Sequence, residues 1–218
     1  MRRPPRTPQA PRAPPSRART LARLDADALA GAIGAWLADR DRPPPPSSRR
    51  RAVAVDGKTL RGARTQAPDG DGRPVHLLAA MDHQTRAVLA QRQVGGAPEE
   101  VPAFAPLLAP LDLAGVVVTA DALQTHHDAA EFLVTSKQAH YLFTVKANQP
   151  MLLERCAAIP WPDVPVGDRT RDRAHGRIEL RTLKAVSVTG FGFPTHPRSS
   201  RSPAPPATLT PTPGGARP

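Results

Sequence analysis

Two aspartates each stand at the end of a short apolar run. Asp56 closes AVAVD (52–56) ahead of Gly57, and Asp121 follows GVVVTA (115–120). Runs of this kind read as buried strands that end in turns, so both carboxylates are expected where strands leave a sheet. On neighbouring strands they would repel, and a divalent cation between them would relieve the repulsion. Mg²⁺ takes one or two carboxylates together with phosphate oxygens and water. Two such ions about 3.5–4 Å apart clamp the attacking and leaving oxygens of an in-line phosphoryl displacement. Each aspartate also has a plainer account: Asp56 opens an Asp-Gly turn, or Asp121 is the N-cap of a helix from Ala122.

Basic side chains stand close by. Lys58, Arg61 and Arg64 lie in GKTLRGAR (57–64), and Lys146 lies in VKANQP (145–150). They suit phosphate contacts beside a metal site, or simply a solvated turn. Other combinations are weaker. His126 and His127 are adjacent and do not face one another on a helix. Cys156 reads as a helix core residue with no nearby His, and His175-Gly176-Arg177 as a surface turn. Asp69–Gly72 begins like a calcium loop but lacks the closing Glu. Neither a Gly-rich phosphate loop nor zinc-finger spacing occurs.

The elements that must position the aspartates follow from periodicity. Strands are expected at 52–56, 75–81, 87–94, 115–119 and 141–145, and helices at 99–111, 122–137 and from 150 to 158. RIELRTLKAVSV (177–188) alternates as a strand of a separate small sheet. The first three strands have short connections and make an antiparallel meander. The fourth and fifth follow helices and add in parallel by right-handed crossovers. The expected class is α/β, a ribonuclease-H-like mixed sheet of order 3-2-1-4-5 with flanking helices. That order makes the Asp56 and Asp121 strands neighbours.

Charge and proline divide the rest of the 218 residues. Residues 1–23 hold seven Arg and no acid, and 195–218 hold three Arg and no acid, whereas 52–194 balance fifteen bases with fifteen acids. The net +11 therefore belongs to the ends. The reading is a disordered basic arm (1–16), a helical remnant (17–41), a Pro/Arg linker (42–51), a catalytic core (52–160), a partial inserted β region (161–194) and a disordered Pro-rich tail (195–218). The lone Cys156 excludes a disulfide framework and fits a reducing compartment. No apolar run approaches the ~18 residues of a membrane span, and nothing resembles a signal peptide.

Several blocks together resemble bacterial insertion-sequence DDE transposases, in the subgroup that includes the H-repeat-associated proteins. They are AVDGKTLRGAR (54–64), VHLLAAMD (75–82), LDLAGVVVTADALQTH (111–126), HYLFTVKANQP (140–150), HGRIELRT (175–182) and GFGFP (190–194). TLARLDADALAGAIGAWL (20–37) resembles the end of that family's N-terminal helical segment. The resemblance implies two Mg²⁺ ions, DNA as partner, and cleavage and strand transfer at the ends of an insertion sequence. It also implies a bacterial cytoplasmic, nucleoid-associated protein without a membrane partner, and leaves a homo-oligomer open for the intact family. Asp56 and Asp121 match the family's first two acids.

The family's third acid is a Glu in a block like HWxIEN on a late helix, and no such block is present here. Glu179 in HGRIELR is the available substitute. Beyond Pro194 the sequence leaves the family pattern, as a frameshift would make it do. The resulting expectation is a truncated, inactive copy with two of three metal ligands. Two other readings compete: a non-catalytic DNA-binding protein using its basic arms, and a small metal-dependent nuclease completed by Glu179.

Overall fold

A computed structural model of the chain describes residues 20, 23–40, 50–65, 72–174, 177–188 and 190–195. The basic arm, most of the linker and the tail beyond Thr195 lie outside the described residues, and so do the expectations for them. The elements in chain order are α1 (Ala26–Arg40), β1 (Ala52–Arg64), β2 (Pro74–Asp82), β3 (Val88–Val94) and α2 (Ala97–Leu108). They continue with β4 (Val117–Ala120), α3 (His127–Glu131), β5 (His140–Phe143), α4 (Pro150–Ala157), β6 (Val166–Ala174) and β7 (Arg177–Lys184).

Five strands form one sheet in the order β3-β2-β1-β4-β5, with β1·β2 and β2·β3 antiparallel and β1·β4 and β4·β5 parallel. This is the ribonuclease-H-like order expected from the sequence. Alternation sorts the sheet's two faces. Val53, Val55, Leu78, Ala80 and Val118 are buried and meet Phe104, Leu107 and Leu108 of α2 in one hydrophobic cluster. Phe104 also meets Phe143 of β5 edge-on, with ring centroids 6.3 Å apart. Burying each such side chain stabilises by roughly 1.5–3 kcal/mol, and this layer fixes β1 and β4 side by side.

Polar contacts tie down the rim. Asp82, 2% exposed, accepts from Arg51 Nε at 2.6 Å and from the N–H groups of Gln84 and Thr85. Burial pushes the Asp82 carboxyl up, but the Arg51 hydrogen bond, those two N–H groups and the Arg51 charge outweigh it. The net position is below the usual carboxylate value. On the other side of the molecule α1 meets edge strand β3 at Gly34, where a Cβ would fall 2.1 Å from the Leu89 carbonyl oxygen. Only glycine allows that approach.

Three expectations need correction. The expected first strand, 52–56, runs on to Arg64: β1 continues straight through Asp56-Gly57, because β2 pairs with it as far as Thr59. The helix expected over 122–137 is broken into a 3₁₀ turn (Ala122–Gln124), the short α3 and a π turn (Phe132–Ser136). Thr125 causes the break, since its hydroxyl donates to the Thr144 carbonyl at 2.8 Å and turns the chain toward β5. The strand expected over 177–188 ends at Lys184, and its partner β6 carries no apolar pattern by which to recognise it.

Tyr141, the one tyrosine, donates its hydroxyl to the Pro194 carbonyl at 2.7 Å and so anchors residues 190–195 to β5. Burial pushes its ionisation up to about 12 from the ordinary 10. Between those values the unfolded chain loses the phenolic proton and the folded chain keeps it, so stability falls as pH rises from 10 toward 12. A spectrophotometric titration should therefore show a single tyrosinate transition near 12. Ionisation near 10 in folded protein would contradict the buried hydroxyl.

Candidate divalent-metal and phosphate site

The parallel register of β1 and β4 pairs Val53 with Val118, Ala54 with Thr119 and Val55 with Ala120. Asp56 and Asp121 are the next residues on the two chains. β4 ends at Ala120 while β1 runs on, so Asp56 lies within β1 beside the point where Asp121 leaves β4, both on the face opposite α2 and in line with Ala54 and Thr119. Both are exposed. Asp121 Oδ1 accepts from the Leu123 N–H at 2.9 Å, so the N-cap account is true of one oxygen. Its second oxygen remains available, and Asp56 makes no hydrogen bond or ion pair with any described residue. Three free, hard carboxylate oxygens at one edge suit a hard divalent cation.

A buried polar layer supports this edge, and sequence reasoning missed it. His76, Glu100, Gln124 and Thr125 are all buried. His76 Nε2 donates to Glu100 Oε1 at 2.6 Å, which leaves Nδ1 to accept from the Thr59 hydroxyl at 2.7 Å. The Glu100 carboxyl is packed so tightly beneath Gly57 that a Cβ there would lie 2.0–2.4 Å from its atoms. The residue after Asp56 is thus clamped from below. Asn148 Nδ2 donates to the Ala122 carbonyl at 2.7 Å and ties the loop after β5 to the turn after Asp121. Glu100, beside Glu99 in a proline-containing segment, gave no signal in sequence, because only the fold brings it to His76.

Three of the four basic residues follow Asp56 along β1, and Lys146 lies in the loop after β5. Lys58 is exposed and alternates onto the Asp56 face. Arg61 lies in a bulge of β1 where the pairing with β2 shifts between Thr59 and Arg64, with Gly62 at φ 79°. Arg64 donates from Nη1 to the Gly72 carbonyl at 2.9 Å, so part of its guanidinium is already engaged. Lys146 is exposed in the loop after β5, whose end is parallel to that of β4.

Glu179 lies elsewhere. It sits in β7 of the separate two-stranded sheet, opposite Asp172, and pairs with Arg181 Nη2 at 2.5 Å. Among the described residues it does not join Asp56 and Asp121 in a three-ligand set. The one such set there is His127, Asp128 and Glu131, all exposed on and beside α3 with ligand atoms within 4.8 Å. Its signal in sequence is the i,i+4 spacing of His127 and Glu131. Cys156 is a buried helix residue whose thiol burial pushes up, as its core reading requires. No described helix is long and apolar enough to cross a membrane.

Comparison with known proteins bears on this geometry. The family model of the transposase DDE domain matches residues 47–189. An uncharacterized protein in the dhlA 3′ region of Xanthobacter autotrophicus is 31% identical over 135 residues, covering 60% of this chain and 44% of that protein. The "H repeat-associated putative transposase YhhI" of Escherichia coli (strain K12) is 29% identical over 140 residues, covering 62% and 36%. The chain thus spans less than half the length of either relative. A piggyBac transposase synaptic complex with hairpin DNA shares 17% identity over 62% of this chain and 30% of that one, at a TM-score of 0.38, too distant to argue from.

Proposed function

The chain belongs to the transposase DDE-domain family, in the group that includes the H repeat-associated proteins, and from that premise we propose that it carries two of the acids of a DNA-cleaving and strand-transferring site. The observation that supports this is the β1·β4 register, which sets Asp56 and Asp121 one step beyond the Val55–Ala120 pair. Asp56 and the free oxygen of Asp121 hold the metal, which we take to be Mg²⁺. When bound, the ions activate the attacking oxygen and stabilise the leaving one. Lys58, Arg61 and Lys146 hold the DNA phosphates against that edge, and Arg64 braces the β1 arm through Gly72. A bacterial cytoplasm, at the nucleoid, is the compartment this activity calls for.

A third carboxylate does not reach Asp56 and Asp121 among the described residues, so the second ion has no dedicated ligand. The proposed state of this copy is metal binding without strand transfer. Incubating the 218-residue chain with DNA carrying the element's ends and millimolar Mg²⁺ should give no detectable cleavage. Cleavage that Glu179→Gln abolishes would instead make Glu179 the missing ligand.

A further inference from the structure

The β6–β7 ribbon sorts its charges by face. Direct cross-strand partners share a face, and the pairs are Arg169–Thr182, Arg171–Leu180 and Arg173–Ile178 on one side. The other side carries Asp168, Thr170 and Asp172 opposite Leu183, Arg181 and Glu179. All three acids of the ribbon are on this second side. Arg181 there bridges both Asp172 at 2.8 Å and Glu179 at 2.5 Å, so two of that face's three acids are paired within it. The first side has three arginines, no acid, and no ion pair to any described residue. Beside this row of β6 arginines, Ile178 and Leu180 of β7 stand 58% and 65% exposed. The ribbon is held at its base, where Lys184 Nζ donates to the Trp161 carbonyl.

We propose that this arginine face is a duplex-DNA-binding surface that enters the major groove. The major groove is about 12 Å wide and admits a two-stranded β-ribbon. Alternate residues on a strand rise about 6.8 Å, so the three guanidiniums of β6 form a row of roughly 13 Å that can follow the phosphates of one groove wall. Ile178 and Leu180, beside that row on β7, lie toward the groove floor and meet base edges, where the thymine methyl is the apolar feature. A protein partner would need an acidic surface to match three unpaired arginines. DNA supplies that charge along its whole length, and a row of Arg on one strand beside an apolar pair on the other matches a wall-and-floor geometry.

The partner's identity rests on the transposase reading, but the surface is tested separately from the metal site. The experiment is fluorescence anisotropy of the 218-residue chain on a mixed-sequence duplex of about 25 bp, across a salt series. The Arg169→Ala/Arg171→Ala/Arg173→Ala variant should bind on the order of 100-fold more weakly near 0.1 M salt. Its slope of log affinity against log salt should be shallower than wild type by about 2–3. Asp172→Asn on the opposite face should leave both unchanged. Ile178→Ser/Leu180→Ser should keep the slope and lose preference between duplex sequences. An unaltered slope in the triple variant overturns the proposal, as does equal binding to duplex RNA, whose deep, narrow major groove shuts a ribbon out. Loss of self-association in the Ile178/Leu180 variant without any change in DNA binding would overturn it too. Mn²⁺ binding, read by calorimetry, stays intact in every ribbon variant, so the two sites fail independently.

Discussion

Asp56→Asn and Asp121→Asn should each weaken Mn²⁺ binding by about 100-fold, equivalent to about 2.7 kcal/mol, without lowering the melting temperature. Asp56 has no partner among the described residues, so an amide there leaves the fold untouched. Asp121 caps the turn after β4 by accepting from Leu123, and an Asn oxygen caps as well as an Asp oxygen. Both substitutions therefore remove ligand charge and little else. The double variant should bind no more weakly than either single one by more than a few-fold, as the proposed sharing of one ion requires. Asp121→Ala, by contrast, removes the cap too and should cost about 1 kcal/mol of stability. Calorimetric titration with Mn²⁺ decides the matter: undiminished binding in either Asn variant removes the shared site.

Gly57→Ala should strain the fold directly beside Asp56. Its Cβ would fall 2.0–2.4 Å from the Glu100 carboxyl. That carboxyl is 6% exposed and held by His76, so it cannot swing into solvent. Overpacking here should cost about 2–4 kcal/mol and lower the melting temperature by roughly 5–15 °C. Metal affinity should fall with it, because Asp56 is the preceding residue. Glu100→Ala alone should destabilise by about 1–3 kcal/mol through the orphaned His76 nitrogen. In that background, however, Gly57→Ala should be nearly harmless. Thermal melts of the four proteins test this, and additive losses would show that Gly57 and Glu100 do not press on one another.

The parts of the fold that hydrophobic pattern controls were legible in sequence. VVVTA and AVAVD announce buried strands because both have to pack against α2, and the short links between the first three strands fix the meander. What escaped notice depends on partners far away in the chain. GKTLRGAR has no apolar alternation, and it is extended because β2 supplies hydrogen bonds as far as Thr59. VGDRTRDRA is a strand for the same reason, through β7. The helix after Asp121 breaks because one hydroxyl finds the Thr144 carbonyl, a contact no local periodicity encodes. At the site, the two aspartates were visible as the ends of apolar runs, one of which stays extended beyond Asp56, whereas the Thr59–His76–Glu100 layer was not. Glu179 looked suitable by type and order along the chain, and its strand carries it into another sheet.

The position of β1 between β2 and β4 also dictates the order in which the chain can assemble. β2 and β3 follow β1 closely, so the antiparallel meander closes small loops and can form while later residues are still being synthesised. β4 has to cross over α2 before it can pair with β1, a longer closure that comes later. Until then β1 presents an open edge, with Val53 and Val55 flanking unpaired backbone, a template for pairing with another chain. On the proposed reading of the site, Asp56 and Asp121 come together only when β4 docks, at the moment this edge is covered. A divalent cation present during synthesis would thus act on folding as well as chemistry, favouring the docked strand and shortening the interval in which aggregation competes.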